Sequence, residues 1–296
     1  MVGSSPLSTP SKAGLAKVAG SELSRRIVSG LVMAAVALGM TIAGGWWFAG
    51  LVAAATALMC WEWGRLTRLG TTRDGAAVRG SINLSLLMHA TAVVAAIVLV
   101  VLGRPGWALA ALAAAAAGLL AVSPKQPLSA FGAAYVGLPA FVLVWLRQDA
   151  DYGLAAVLYL FLAVWVTDIA AYATGRTLGG PKLAPSISPG KTWSGLAGGV
   201  GCAGLAGAAF GACIAGGSAF RLGALAIALG IAAQLGDLYE SALKRRSGLK
   251  DASGLIPGHG GVLDRVDGLV AAIALAAVIV LVPHADVPAR GLVRGF

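Results

Sequence analysis

The sequence predicts an all-α, polytopic integral membrane protein with about nine transmembrane helices and a cytoplasmic N-terminus. Of its 296 residues, 58% are hydrophobic and only 11% are charged, and the mean hydropathy is +0.84. Soluble proteins carry about 25% charged residues. The apolar residues also form runs of roughly 17 to 23 residues, which is the length that a helix needs to cross a hydrocarbon core of ~30 Å. These observations exclude a soluble fold.

Nine apolar runs follow one another along the chain. They fall near residues 27–43, 45–61, 83–102, 106–122, 128–146, 152–173, 193–215, 219–239 and 266–283. Residues 1–24, rich in Ser, Ala, Gly and Pro, predict a disordered cytoplasmic tail, and residues 25–296 predict a single transmembrane domain. Arg25 and Arg26 precede the first run as in a signal peptide, but its ordinary span length and the spans that follow favour a first transmembrane helix.

The distribution of positive charge sets the orientation of the nine spans. When the N-terminus is placed in the cytoplasm, 17 of the 22 Lys and Arg residues lie on the cytoplasmic side. The exceptions are Arg104, Arg147, Arg221, Arg290 and Arg294. Cytoplasmic loops of membrane proteins carry an excess of Lys and Arg. Topology therefore explains the net charge of +10, and we expect no nucleic-acid partner.

Acidic residues concentrate near one end of the predicted spans. Half of the 12 carboxylates lie in the sixth span or between the end of the eighth and the start of the ninth: Asp168, Asp237, Glu240, Asp251, Asp264 and Asp267. An Asp within a span costs ~3 kcal/mol on insertion scales, so each one needs a partner, a water-filled cavity or an ion. For Asp168, a structural pair with an Arg is the alternative to a functional role.

The eighth span carries a polar face. Gln234, Asp237, Ser241 and Lys244 recur at spacings of three, four and three residues, which places them on one side of a helix. A face that turns polar towards the cytoplasm predicts a cavity open to that side. The alternative is an interfacial helix end with snorkelling Lys and Arg side chains, but snorkelling does not explain Asp237.

Two aspartates open the ninth span. Asp264 and Asp267 are three residues apart on a first helical turn, so their carboxylates can point the same way. With Asp237 nearby, this set predicts a carboxylate cage for Mg²⁺ or Mn²⁺, which prefer hard oxygen ligands. Helix capping competes with this interpretation, but it explains only one of the two aspartates. His259 stands alone, so a phosphate or proton-transfer role and a structural hydrogen bond both remain open.

The segment between the sixth and seventh spans combines glycines with three cations and hydroxyl groups. Arg176, Lys182 and Lys191 supply the positive charge, and Ser188 supplies a hydroxyl group. Exposed backbone amides and cations ahead of a helix N-terminus are suited to hold a triphosphate. The alternative is a flexible, positively charged loop that only fixes topology.

The C-terminal half of the sequence resembles a known family. Residues 241–267, SALKRRSGLKDASGLIPGHGGVLDRVD, resemble the signature of the phosphatidate cytidylyltransferases, also called CDP-diglyceride synthetases, along their whole length. The pattern of Asp168, Arg176 and Lys191 is also similar to the family, so the resemblance covers roughly residues 165–270. One departure is Gly268, where the family often has Ser.

The resemblance implies that the protein transfers a cytidylyl group from CTP to phosphatidic acid, giving CDP-diacylglycerol and pyrophosphate. It also implies Mg²⁺, with a second, monovalent cation nearby, and a location in the bacterial plasma (inner) membrane with the active site facing the cytoplasm. Residues 165–270 would then carry the active-site loops of the transmembrane catalytic domain. We expect the protein to bind membrane lipid. A homodimer is the oligomeric state to test.

The resemblance also assigns roles to individual residues. Catalytic roles fall to Asp237, Lys244, Asp264 and Asp267. The three aspartates and Asp168 are the implied metal ligands. Substrate binding is expected of Arg176, Lys182, Ser188, Lys191, Ser241, Arg245, Lys250, His259 and Arg265.

Three other functions remain open from the sequence. A CTP-dependent enzyme could act on another lipid phosphate or on a polyprenol, because the loop sequences do not indicate which lipid chain is bound. A cation-coupled transporter could use Asp168 and Asp237 as an ion path, although the sequence lacks the second copy of the motif that inverted repeats would give. An inactive membrane scaffold is the third alternative.

Overall fold

The computed structural model describes the backbone of residues 12–68, 78–122, 127–256, 260–284 and 287–294. These residues form helices joined by turns and a single two-stranded sheet. The helices are α1 (Lys12–Ala43), α2 (Gly45–Arg68), α3 (Val78–Val101), α4 (Pro105–Val122), α5 (Pro127–Gly132), a π-helix (Ala133–Gly137), α6 (Leu138–Arg147), α7 (Gly153–Leu178), α8 (Trp193–Cys213), α9 (Ala219–Arg246), α10 (Leu263–His284) and α11 (Pro288–Val293). The strands are β1 (Lys182–Ala184) and β2 (Ser188–Thr192).

Each of the nine predicted apolar runs contains a helix. Among the described residues, five helical segments are long and apolar enough to cross a membrane. They are Pro105–Val122, Ala130–Arg147, Gly153–Leu178, Trp193–Cys213 and Ala219–Arg246. The all-α membrane class is therefore confirmed, whereas the count of nine spans and their orientation stay predictions.

Several helices extend beyond the predicted runs. α9 continues past the predicted end at residue 239 to Arg246, with three basic residues in its last turn, where positive charge favours the helix dipole. α1 begins at Lys12, within the segment 1–24 for which a disordered tail is predicted. Its Ala, Leu, Lys and Glu residues are good helix formers. Residues 1–11 lie outside the described part of the chain.

Glycines allow α8 to pack closely between α7 and α9. A Cβ atom at Gly199 would lie 2.6 Å from the carbonyl oxygen of Thr167 in α7, and one at Gly207 would lie 2.6 Å from that of Leu222 in α9. Neither position has room for a side chain. Small residues at helix interfaces let the backbones of membrane helices approach each other in this way. α8 thus fixes the spacing of the two helices that carry the polar residues.

α9 and α10 also meet through glycines. A Cβ atom at Gly236 would lie 2.7 Å from the carbonyl oxygen of Asp267, and one at Gly268 would lie 3.2 Å from that of Ala233. A side chain at Gly268 would require the neighbouring turn of α9 to shift by a few tenths of an ångström. The polar end of α9 and the first turns of α10 therefore lie together.

The segment between α7 and α8 contains a β-hairpin, where the sequence suggested only a loop. β1 and β2 pair antiparallel, with Lys182 opposite Thr192. The Thr192 side chain then accepts a hydrogen bond from the Gly195 amide at 3.1 Å and caps the first turn of α8. Lys191 is consequently held directly ahead of the N-terminus of α8.

Candidate active site

A polar cavity of about 470 Å³ lies where α7, α8, α9 and the hairpin meet. Its volume falls within the range of roughly 300–1,000 Å³ that is common for small-molecule sites. The charged side chains of its wall are Asp168, Arg176, Lys182, Lys191 and Asp237. Three cations against two carboxylates give the cavity an excess of positive charge, which favours an anionic ligand.

A hydrogen-bonded network crosses the cavity from β2 to α7. The Nζ atom of Lys191 lies 2.7 Å from Oδ2 of Asp237 and donates to Oε1 of Gln234 at 2.9 Å. Nε2 of Gln234 donates in turn to Oδ1 of Asp168 at 2.9 Å, and Ser241 donates to Oδ1 of Asp237 at 3.2 Å. The structure thus brings together five polar residues that the sequence spread over three segments.

The network leaves its charged groups within reach of a ligand. The side chain of Asp237 is 35% exposed and that of Lys191 is 16% exposed, and Asp168 is exposed. Asp168 accepts its hydrogen bond from Gln234. It does not form a salt bridge with Arg176. Arg176 instead donates to the Tyr172 hydroxyl at 3.1 Å.

A second cluster lies deeper, between the ends of α9 and α10. Lys244 donates to Oε2 of the fully buried Glu240 at 2.9 Å and to Oδ1 of Asp264 at 2.6 Å. Asp264 also accepts from the backbone amides of Gly261 at 2.7 Å and Ala252 at 2.9 Å. Asp264 therefore ties the segment that precedes α10 to the end of α9.

The charge of Asp264 is stabilised by these contacts. Burial by itself raises the pKa of the Asp264 carboxyl, but the hydrogen bonds from Lys244, Gly261 and Ala252 outweigh it and hold the pKa below its ordinary value. Ionised Asp264 is thus bound by one cation and two amides. A carboxylate engaged in this way organises the surrounding chain, whatever else it binds.

Asp267 lies between the two clusters. Its carboxylate is within electrostatic range of Asp168, Asp237 and Glu240, and its Oδ1 accepts from the Gly268 amide at 2.7 Å. Among the described residues, no group of three His, Cys, Asp or Glu side chains converges closely enough to hold an ion by itself. Asp264 contacts Lys244 and the loop amides, and metal binding by Asp237, Asp264 and Asp267 stays a prediction.

The remaining predicted ligands lie in different places. Lys182 lines the polar cavity, whereas Ser188, at the start of β2, does not. Arg245 reaches the hairpin turn, where it donates to the carbonyl oxygen of Ile187 at 3.4 Å. Lys250 is exposed outside the cavity wall.

Two further predicted ligands belong to the segment before α10 and its first turn. Arg265 is exposed and lines a separate, apolar cavity. His259 lies outside the described residues. Its predicted roles therefore stay predictions.

Glu62 of α2 is a residue that the sequence interpretation missed. It is fully buried, and its carboxylate accepts from Ser253 Oγ at 2.6 Å, from the Val262 amide at 3.0 Å and from the Leu263 amide at 2.7 Å. Leu263 is the first residue of α10, so Glu62 satisfies amides that a helix N-terminus leaves free. An acid beside an apolar run was the available signal, because such a residue needs a partner.

The fold and the site together define a class: a helical, multi-pass membrane protein with a charged cavity suited to phosphate-bearing ligands. The chain belongs to the cytidylyltransferase family, whose model matches residues 24–282. A phosphatidate cytidylyltransferase from Brucella suis is 42% identical over 257 residues, which is 86% of this chain and 92% of that protein. One from Pseudomonas aeruginosa is 34% identical over 272 residues, covering 87% and 96% of the two chains.

Proposed function

We propose that this protein transfers the cytidylyl group of CTP to phosphatidic acid, producing CDP-diacylglycerol and pyrophosphate. The observation that carries the proposal is the Asp237–Lys191–Gln234–Asp168 network in a cavity with an excess of positive charge. The relatives from Brucella suis and Pseudomonas aeruginosa, both called phosphatidate cytidylyltransferase, support it.

The proposed arrangement in the membrane has nine spans, a cytoplasmic N-terminus and the polar cavity on the cytoplasmic side of the bacterial inner membrane. The excess of Lys and Arg on that side supports it. CTP is water-soluble and phosphatidate is a lipid, so the two can meet only near the edge of the hydrocarbon region. The expected homodimer is part of the same proposal and is tested by light scattering on the purified protein.

In the proposed reaction, a phosphate oxygen of phosphatidate attacks the α-phosphorus of CTP. A new P–O bond forms, the bond from the α-phosphorus to the bridging oxygen breaks, and pyrophosphate leaves with that electron pair. Lys191, Arg176 and Lys182 bind the triphosphate, Lys as a compact charge and Arg through paired donors. Because Asp237 and Gln234 already orient Lys191, little reorganisation is needed when the nucleotide binds.

The carboxylates near the cavity fit a Mg²⁺ ion. Mg²⁺ usually binds through one or two carboxylates together with substrate phosphates and water, so three converging side chains are not required. Asp168 and Asp237, which line the cavity and are joined through Gln234 and Lys191, would hold it together with Asp267, the predicted ligand at the start of α10. The ion would neutralise charge on the leaving pyrophosphate. Dependence on a monovalent cation is tested by varying the K⁺ concentration in the same assay.

Lys244 and Asp264 have a positioning role in this proposal. They join α9 to the segment before α10 through contacts of 2.6 to 2.9 Å, and Asp267 follows Asp264 by less than one helical turn. Lys244 and Asp264 therefore contribute to activity indirectly, because they position Asp267 and its neighbours.

The test measures pyrophosphate and CDP-diacylglycerol formed by the purified full-length protein in detergent. We expect product with CTP, phosphatidate and Mg²⁺, and none when Mg²⁺ is chelated. Asp237→Asn should lower turnover by roughly 10²- to 10³-fold, the range for losing one pre-organised electrostatic group. The matched control is Asp151→Asn, an exposed aspartate between α6 and α7, which should keep full activity.

Each other outcome selects a different function. Product from a polyprenol or another lipid phosphate, and not from phosphatidate, would replace the lipid substrate. Turnover in detergent excludes a transporter as the primary function, because no ion gradient exists there. No turnover with any lipid would contradict the proposal.

A further inference from the structure

A second cavity, of about 490 Å³, lies between α1, α2, α6, α7 and α10. Its wall is formed almost entirely by aliphatic and aromatic side chains, such as Met33, Val52, Leu143 and Phe161. The hydroxyl of the lining residue Thr56 donates to the carbonyl oxygen of Val52 at 2.6 Å, so it is already paired. Such a cavity is unfavourable for water and favourable for hydrocarbon.

The apolar cavity opens to the outside of the helix bundle. Val32 and Val36 of α1, which belong to its wall, are 56% and 46% exposed. In the proposed membrane arrangement, lipid chains surround this part of α1. Hydrocarbon can therefore enter sideways without crossing water.

The apolar and polar cavities share α7 as a wall. Trp165 of α7 lines the apolar cavity, and Asp168, three residues later, lines the polar one, which is a separation of about 4.5 Å along the helix axis. On α10, Val266 lines the apolar cavity, and its neighbour Asp267 is within electrostatic range of Asp168. The two cavities thus lie on either side of α7.

Arg265 is the charged residue of the apolar cavity's described wall. Its side chain is exposed, and the salt bridges among the described residues leave it unpaired. An Arg beside an apolar cavity matches a ligand with a hydrocarbon chain and a phosphate headgroup, because its guanidinium group binds phosphate through paired donors.

We infer that the apolar cavity is the binding site for an acyl chain of the phosphatidate substrate. The inference rests on the proposed function and adds a location for the lipid. It places the acyl-chain contacts in α1, α2 and α6, which contribute no charged group to the polar cavity.

The expected effect of this site follows from the solvent around it. An acyl chain leaves other lipid chains when it enters the cavity, so it gains no hydrophobic free energy, and packing alone determines its preference. The cavity therefore selects chain length and shape. It contributes little to the binding of CTP.

The test fills the cavity from α2, away from the polar residues. Ala55→Phe projects into the cavity, and Ala54→Phe places the same side chain on the adjacent, exposed position that does not line it. For Ala55→Phe we expect the KM for dioleoyl phosphatidate to rise by about tenfold, the factor that corresponds to an overpacking cost of ~1.4 kcal/mol. The KM for dioctanoyl phosphatidate should change less, and the KM for CTP should stay constant. Ala54→Phe should match the wild type.

A direct measurement accompanies the kinetics. Phosphatidate with a photoreactive group in the acyl chain should label α1, α2, α6 or α10 in the full-length protein, and Ala55→Phe should suppress this labelling. Labelling confined to α3, α4, α8 or α9, or equal effects of Ala55→Phe and Ala54→Phe on both lipids, would overturn the inference. Wild-type protein that fails to use phosphatidate at all would instead overturn the proposed function.

Discussion

The two halves of the chain contribute to the site in different ways. α7, α9 and the hairpin supply the charged side chains of the polar cavity, including Asp168, Lys191 and Asp237. The N-terminal helices supply one buried carboxylate, Glu62, and most of the wall of the apolar cavity. The reactive groups are therefore concentrated in the C-terminal half, while their placement also depends on a contact from the N-terminal half.

The largest expected effect comes from the buried cation of the C-terminal half. Lys244→Met leaves the buried carboxylates of Glu240 and Asp264 without their cation. Removing one partner of a buried ion pair costs about 3–5 kcal/mol, so we expect a clear fall in melting temperature in detergent and loss of turnover. Arg246→Met, at an exposed position in the same helical turn, is the control and should change neither. A normal melting temperature for Lys244→Met would show that this cluster does not hold the two helices together.

The second prediction tests the contact between the halves. Glu62→Ala removes the acceptor for the Val262 and Leu263 amides, and each unsatisfied buried amide costs about 1–3 kcal/mol. We expect kcat to fall by about tenfold or more while the KM for CTP changes little, because Glu62 does not line the polar cavity. Glu62→Gln keeps one acceptor oxygen and should recover part of kcat.

Arg65→Gln serves as the control for Glu62, because Arg65 lies on the same helix at an exposed position. If Glu62→Ala lowers stability without changing kcat in the folded fraction, the residue is structural only. The two halves would then be separable, with all positioning inside the C-terminal half.

The third prediction tests how rigidly α8 spaces α7 and α9. A Cβ atom at Gly199 would lie 2.6 Å from the Thr167 carbonyl oxygen, whereas one at Gly201, on the same helix, has no neighbouring atom within 4 Å. Gly199→Ala should therefore cost about 1–3 kcal/mol through overpacking and lower turnover by displacing α7 near Asp168. Gly201→Ala should be neutral, and an equal response of the two variants would contradict the packing argument.

The sequence predicted the polar site better than its surroundings, for physical reasons. Gln234, Asp237 and Ser241 could be placed on one face because helical periodicity is a local property. Glu62 could not be connected with Leu263, 201 residues away, because hydropathy does not determine which helices are neighbours. The sequence spacing of Asp264 does not reveal the two backbone amides that it binds, and its predicted role at a metal stays a prediction.

The β-hairpin was not predicted because its residues carry weak strand signals. The hairpin of β1 and β2 is rich in Gly, Pro and Ser, residues that favour turns and weaken strand signals. Its pairing depends on the position between α7 and α8, with Lys182 opposite Thr192. The apolar cavity could not be predicted from the sequence either, because its lining residues have the composition of any buried helix face.

The smallest expected effect distinguishes two exposed lysines of the C-terminal half. Lys182 lines the polar cavity and Lys250 does not, although the sequence resemblance implied phosphate binding by both. Lys182→Gln should raise the KM for CTP about two- to fivefold, since exposed charge interactions are worth ~0.2–1 kcal/mol, and the effect should shrink at high salt because ions screen it. Lys250→Gln should have the smaller effect in the same titration. A larger effect at Lys250 would mean that CTP extends beyond the polar cavity towards the segment before α10, and the border between the nucleotide and lipid sites would move accordingly.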